Sequence, residues 1–203
     1  MRMPKAAASL VAALTLLMSI AGGAHASRGI EVTPRGRNWA TGFVRFSSPE
    51  AELVNFEECI FEFRLDNIGE GGTAKETSTV VANVTSASAS ICEGGTMRML
   101  SPSGATPWRV TYNSFTGTLP RISAVSLEIR GMGLLIENAF ARCLYGGNTR
   151  VWTVGGTRVT DWSFEVGTPL PLVTELRGLF RCPRSGTLTG VLTLERSWTL
   201  RLV

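Results

Sequence analysis

The residues of this 203-residue sequence that could do chemistry are four cysteines, sixteen carboxylates and five tryptophans. Histidine occurs once, at His25, in a segment that reads as removed from the mature chain. Beyond it no imidazole remains for a Ser–His–Asp or Cys–His arrangement, or for a histidine metal site. The cysteines, Cys59, Cys92, Cys143 and Cys182, are even in number and lie 33, 51 and 39 residues apart. With no C-x-x-C knuckle among them, zinc is a poor fit and disulfides are the better one. Three pairings are possible. Cys59–Cys92 with Cys143–Cys182 closes the shorter loops, and each bridge would stabilise by roughly 3–4 kcal/mol through lost chain entropy. Thiols held this way are not nucleophiles. Neither a metal nor a cofactor is expected.

Carboxylate chemistry survives these exclusions. A glycoside hydrolase needs two Asp or Glu side chains about 5–10 Å apart across the scissile bond. The candidates are Asp66, Asp161 and the fourteen glutamates. Glu62 and Glu128 fall on outward strand faces beside Arg64 and Arg130, which reads as solvated ion pairing before catalysis. Glu57-Glu58 and Asp66…Glu70 lack the spacing of a calcium loop. No glycine-rich phosphate loop opens a helix. The formal charge is +4, scattered along the chain with no basic run, so nucleic acid is not an expected partner.

Tryptophan is the other handle, because an exposed indole can stack on a sugar ring. Trp39, Trp108, Trp152, Trp162 and Trp198 all lie in strand-like segments. Trp108 and Trp198 keep register with aliphatic residues and read as core. Trp152 and Trp162 flank Gly155-Gly156 in a more polar hairpin; core packing is the plainer reading for them too, but they are the candidates for binding if any pair is exposed.

The elements carrying these residues are strands. Cys59, Phe61, Phe63 and Leu65 alternate with Glu58, Glu62 and Arg64. Val125, Leu127 and Ile129 alternate with Ser126, Glu128 and Arg130. Leu192, Leu194, Trp198, Leu200 and Leu202 share one face of a long C-terminal strand. Gly69 to Gly72, Gly94-Gly95, Gly146-Gly147-Asn148, Gly155-Gly156 and Ser185-Gly186 punctuate the segments at hairpin intervals. One helical turn toward Leu53 is expected from a capping box at Ser47 and Glu50. The fold expected is all-β: an antiparallel β-sandwich, or a related closed β architecture, held by disulfides. Phe56-Glu57-Glu58-Cys59 and Phe140-Ala141-Arg142-Cys143 share a Phe-x-x-Cys pattern, and suggest two similar halves, about 40–115 and 120–203. An outer-membrane barrel is disfavoured by the presence of only two tyrosines for the aromatic girdles and by the four cysteines.

Residues 1–26 have the layout of a secretory signal. Arg2 and Lys5 precede the apolar run Ala6 to Ala21, and Gly22-Gly23-Ala24-His25-Ala26 ends in a small-x-small pattern. The run is short of the roughly 20 residues of a membrane helix. Cleavage after Ala26 would leave one secreted domain, 27–203, with no membrane span. Arginine greatly outnumbers lysine, which occurs only at Lys5 and Lys75, as in GC-rich coding.

The stretch Pro107-Trp108-Arg109-Val110-Thr111-Tyr112, with Phe115-Thr116-Gly117-Thr118-Leu119-Pro120 and the cysteine pairs around it, resembles uncharacterised secreted β-rich proteins of high-GC actinobacteria. The resemblance implies export and a β fold, and brings no activity with it. The function expected is a non-enzymatic binding or structural module outside the cytoplasm, acting on cell-wall glycan or another extracellular protein. A carboxylate-dependent glycan hydrolase is the alternative, and a small outer-membrane barrel the second alternative.

Overall fold

The computed structural model describes residues 29–50, 56–70, 78–92, 95–100, 102, 106–117, 122–165, 167–178 and 181–202. The expected signal, 1–26, and Leu53 of the expected helical turn lie outside them. Ser47 ends a strand and Pro49-Glu50 forms a turn. The elements are β1 (Ile30–Thr33), β2 (Gly36–Ser47), β3 (Phe56–Ile68), β4 (Val80–Ala89), β5 (Ile91–Cys92), β6 (Gly95–Met99), β7 (Trp108–Thr116), β8 (Ala124–Glu137), β9 (Ala141–Val154), β10 (Arg158–Phe164), β11 (Pro169–Gly178) and β12 (Ser185–Leu202). Among the described residues no helix occurs.

Strands β2, β3, β4, β7, β8, β9, β10 and β12 pair antiparallel in that order, and β12 returns to pair with β2. The result is a closed eight-strand barrel, where a sandwich was the leading expectation. Alternation reports only that a strand has one buried face, which both architectures share. The closing pairs, such as Thr187 opposite Ser47 and Leu194 opposite Ala40, join residues far apart in sequence and leave no local trace.

The remaining strands extend the staves of the barrel. β11 takes over from β10 at one end, with Glu175 opposite Cys143 on β9 and Pro169 opposite Thr187 on β12. β6 takes over from β7 in the same way, with Met97 opposite Ile136 on β8. The disulfides follow the expected pairing. Cys59 of β3 joins Cys92 of β5, and Cys143 of β9 joins Cys182 in the segment between β11 and β12. Each therefore staples the insert after one barrel strand to the start of the preceding strand. β3 and β9, the strands of the two Phe-x-x-Cys segments, stand four strand steps apart on the ring.

Aromatic rings pack against one another in the interior. Phe61 and Phe164 meet edge to face at 6.4 Å, Phe63 and Trp108 at 6.0 Å, and Trp162 and Trp198 at 5.0 Å. Leu65, Val84, Val110, Ile129, Val151 and Leu192 pack around them, all fully buried. The outer face carries Glu62, Arg64, Arg109, Glu128, Arg130, Arg150 and Glu195. A barrel spanning an outer membrane reverses this order, with an apolar band outside and polar groups within. The alternative of a membrane barrel therefore does not fit this wall.

Candidate functional site

The outer face of β12, β2 and β3 departs from the charged pattern. Trp39, Thr41, Phe43 and Arg45 share the outward parity of β2, while Ala40, Val44 and Phe46 point in. Phe43 stands opposite Ile60 on β3, and Thr41 lies between Glu62 on β3 and Thr193 on β12. Phe43 is 62% exposed, Ile60 46%, Val191 45% and Trp39 38%. Single exposed apolar residues are ordinary, but four gathered on three adjacent strands and rimmed by polar side chains make this strip the candidate interaction surface.

Two local devices set the strip. Gly42 and Gly190 lie where β2 and β12 approach most closely. A Cβ at Gly42 would overlap the carbonyl oxygen of Val191, and one at Gly190, whose φ is +138°, would overlap that of Phe43. Glycine is required at both positions, and the close approach sets Val191 beside Phe43. The second device is Asn38, buried in the wall. Its Nδ2 donates to the carbonyl oxygen of Arg196 at 2.6 Å, and its Oδ1 accepts from the amides of Arg196 at 3.0 Å and Trp39 at 2.9 Å. One side chain thus ties Trp39 to the stretch of β12 that carries Glu195.

The surface forms two shallow hollows that run together through Thr41 and Thr193. One, of about 500 Å³, is lined by Phe43, Ile60, Val191 and Gly42. The other, of about 390 Å³, is lined by Trp39, Leu194, Glu62 and Glu195. Trp39 and Phe43 are four residues apart on one strand face, about 13 Å at the rise of a β-strand. Glu62 and Glu195 stand on either side of Trp39's strand, and neither makes an ion pair among the described residues. Arg64, opposite Trp39, is held by Asp66 at 3.3 Å, and Asp66 also holds Arg37 at 3.0 Å and the hydroxyl of Thr85. The expected Glu62–Arg64 pair is thus replaced by Asp66–Arg64. Glu128 and Arg130 do pair, at 2.6 Å.

Trp152 and Trp162 do not form an exposed pair. Trp162 is 0% exposed and packs against Trp198 inside the barrel, as the core reading has it. A register shift between Val159 and Asp161 turns it inward, because this bulge changes the inward parity along β10 from Val159 to Trp162 and Phe164. Trp152 does face outward, half-buried, opposite Ser126 and Ser163. Its strand is three steps from β2, each turning the outer surface by roughly an eighth of a circle, so it lies outside the strip. Trp108 and Trp198 are core residues, as expected. Trp39, placed in a strand by its sequence context, and Phe43 are the exposed aromatics of this strip. Their shared parity with Thr41 and Arg45 was the signal.

Other titratable groups are structural. Asp161 accepts hydrogen bonds from the hydroxyls of Thr193 and Thr160, each at 2.7 Å. Tyr145 donates to the carbonyl oxygen of Pro183 at 3.2 Å, and its phenol is pushed above its ordinary pKa by burial, then by Glu50 and Glu175. Among the described residues no group of three Cys, His, Asp or Glu gathers where it could hold a metal ion.

No protein-family model and no curated protein matches the chain. Among solved structures, the chain is similar to DynF from the dynemicin biosynthesis pathway of Micromonospora chersina. The identity is 10% and the TM-score 0.44, over 88% of this chain and 86% of that one.

Proposed function

We propose that the chain is an exported, non-enzymatic binding module that holds its ligand on the outside of the barrel, at the strip formed by β12, β2 and β3. The observation that carries this reading is the joint exposure of Trp39, Phe43, Ile60 and Val191 on adjacent strands. An eight-strand barrel can hold one small ligand inside, but here Phe61, Phe63, Trp108, Phe164, Trp162 and Trp198 pack against one another within it, which turns attention to the outer wall. Export is supported by the two disulfides, which persist where thiols are oxidised, and by the signal-like N-terminus.

The hydrolase reading draws on Glu62 and Glu195, which line one hollow. Both are exposed on an open wall, with no cleft between them to enclose a scissile bond. Binding is the better use of the strip.

Incubating residues 27–203 with insoluble polysaccharides and cell-wall fractions tests the proposal, with soluble protein and reducing ends followed together. Depletion of protein without release of reducing ends is expected. Release of sugar ends would overturn the non-enzymatic reading, and absence of depletion from every fraction would overturn a wall-binding role.

A further inference from the structure

We infer that the strip recognises a polysaccharide carrying free amino groups; this rests on the strip being the ligand face. Three features of one surface point to that chemistry. Trp39 and Phe43 expose two aromatic side chains along one strand, their backbone positions about 13 Å apart, which suits an extended chain of rings better than a single small molecule. Between them lie Thr41 and Thr193, short side chains whose hydroxyl oxygens offer hydrogen-bonding groups at the edge of a sugar ring.

The third feature is charge. The hollow around Trp39 is bordered by Glu62 on one side and Glu195 on the other. The cations near them are engaged elsewhere: Arg64 is held by Asp66, and the guanidinium of Arg196 donates to the carbonyl oxygen of Arg37. A ligand with ammonium groups flanking an apolar ring face complements this arrangement, through two carboxylates and the face of an indole. A neutral glycan would gain nothing from the two solvated carboxylates, and an acidic one would be repelled. A second copy of this chain laid across the strip would bring the same two carboxylates, which argues against self-association as its use.

The test compares a chitosan oligosaccharide with the same oligomer fully N-acetylated, by calorimetry at low salt. The free-amine oligomer is expected to bind about tenfold tighter, the combined worth of two exposed ion pairs, and to lose that advantage at high salt. Glu62→Gln with Glu195→Gln should bring the free-amine oligomer down to the level of the acetylated one. Trp39→Ala should weaken both. Equal binding of the two oligomers, or an advantage that survives the double glutamine variant, would overturn the inference. If wall fractions are depleted through Trp39 and Phe43 while neither oligomer binds, the strip stands as the ligand face and the amino-sugar assignment falls. Loss of wall binding after protease treatment of the fraction would place a basic protein on the strip and overturn the assignment as well.

Discussion

Asn38 is buried with its hydrogen bonds directed at the two backbone stretches that border the strip. Asn38→Ala leaves those backbone groups without partners, and unfolding by denaturant should show a loss of about 2–3 kcal/mol. A loss below about 0.5 kcal/mol, as for an ordinary surface change, would contradict this role. Tyr145 gives a pH prediction. Its folded pKa lies above the unfolded value of 10.0, so the folded state holds the proton more tightly. Stability should be intact below pH 10 and fall as pH rises beyond it, and Tyr145→Phe should remove that part of the alkaline slope. At this scale the sequence was informative about parity and silent about bulges. Trp108 and Trp198 were legible as core because they keep step with aliphatic residues. Trp162 was open to both readings because the register shift that turns it inward in β10 is set by its partner β12. Trp39 and Phe43 shared an outward parity that alternation alone could have shown.

At the scale of elements, β2 and β12 are the strands on which the strip depends. Gly42→Ala places a methyl group against the backbone of Val191, which can move only by parting the two strands. About 2–4 kcal/mol of destabilisation is expected, with weaker ligand binding in whatever folds. The disulfides belong to the same scale. Cys59→Ser with Cys92→Ser opens a link across 33 residues and should cost about 4 kcal/mol in a thermal or denaturant titration. Their pairing was legible, since shorter loops were the favoured choice. The roles of the inserts were not. β11 and β6 continue the ladders of β10 and β7, and that replacement is visible only once the long strands β9 and β8 are seen to outrun their first partners.

At the scale of the whole molecule, exposed Trp39, Phe43, Ile60 and Val191 gather on the outer wall of β12, β2 and β3, and the proposed function is assigned to that strip. The all-β composition was readable from period two, and closure was not, because it rests on pairs between β2 and β12 from opposite ends of the described chain. The direct test compares wall binding by the intact protein, by Trp39→Ala with Phe43→Ala, and by Trp152→Ala. Both changes lie outside the barrel, so melting temperatures should stay within a few degrees. The account predicts that the Trp39 and Phe43 double variant stays in solution while the Trp152 variant is depleted like the intact protein. Full depletion of the double variant, or loss of binding with Trp152 alone, would contradict the assignment of the ligand face.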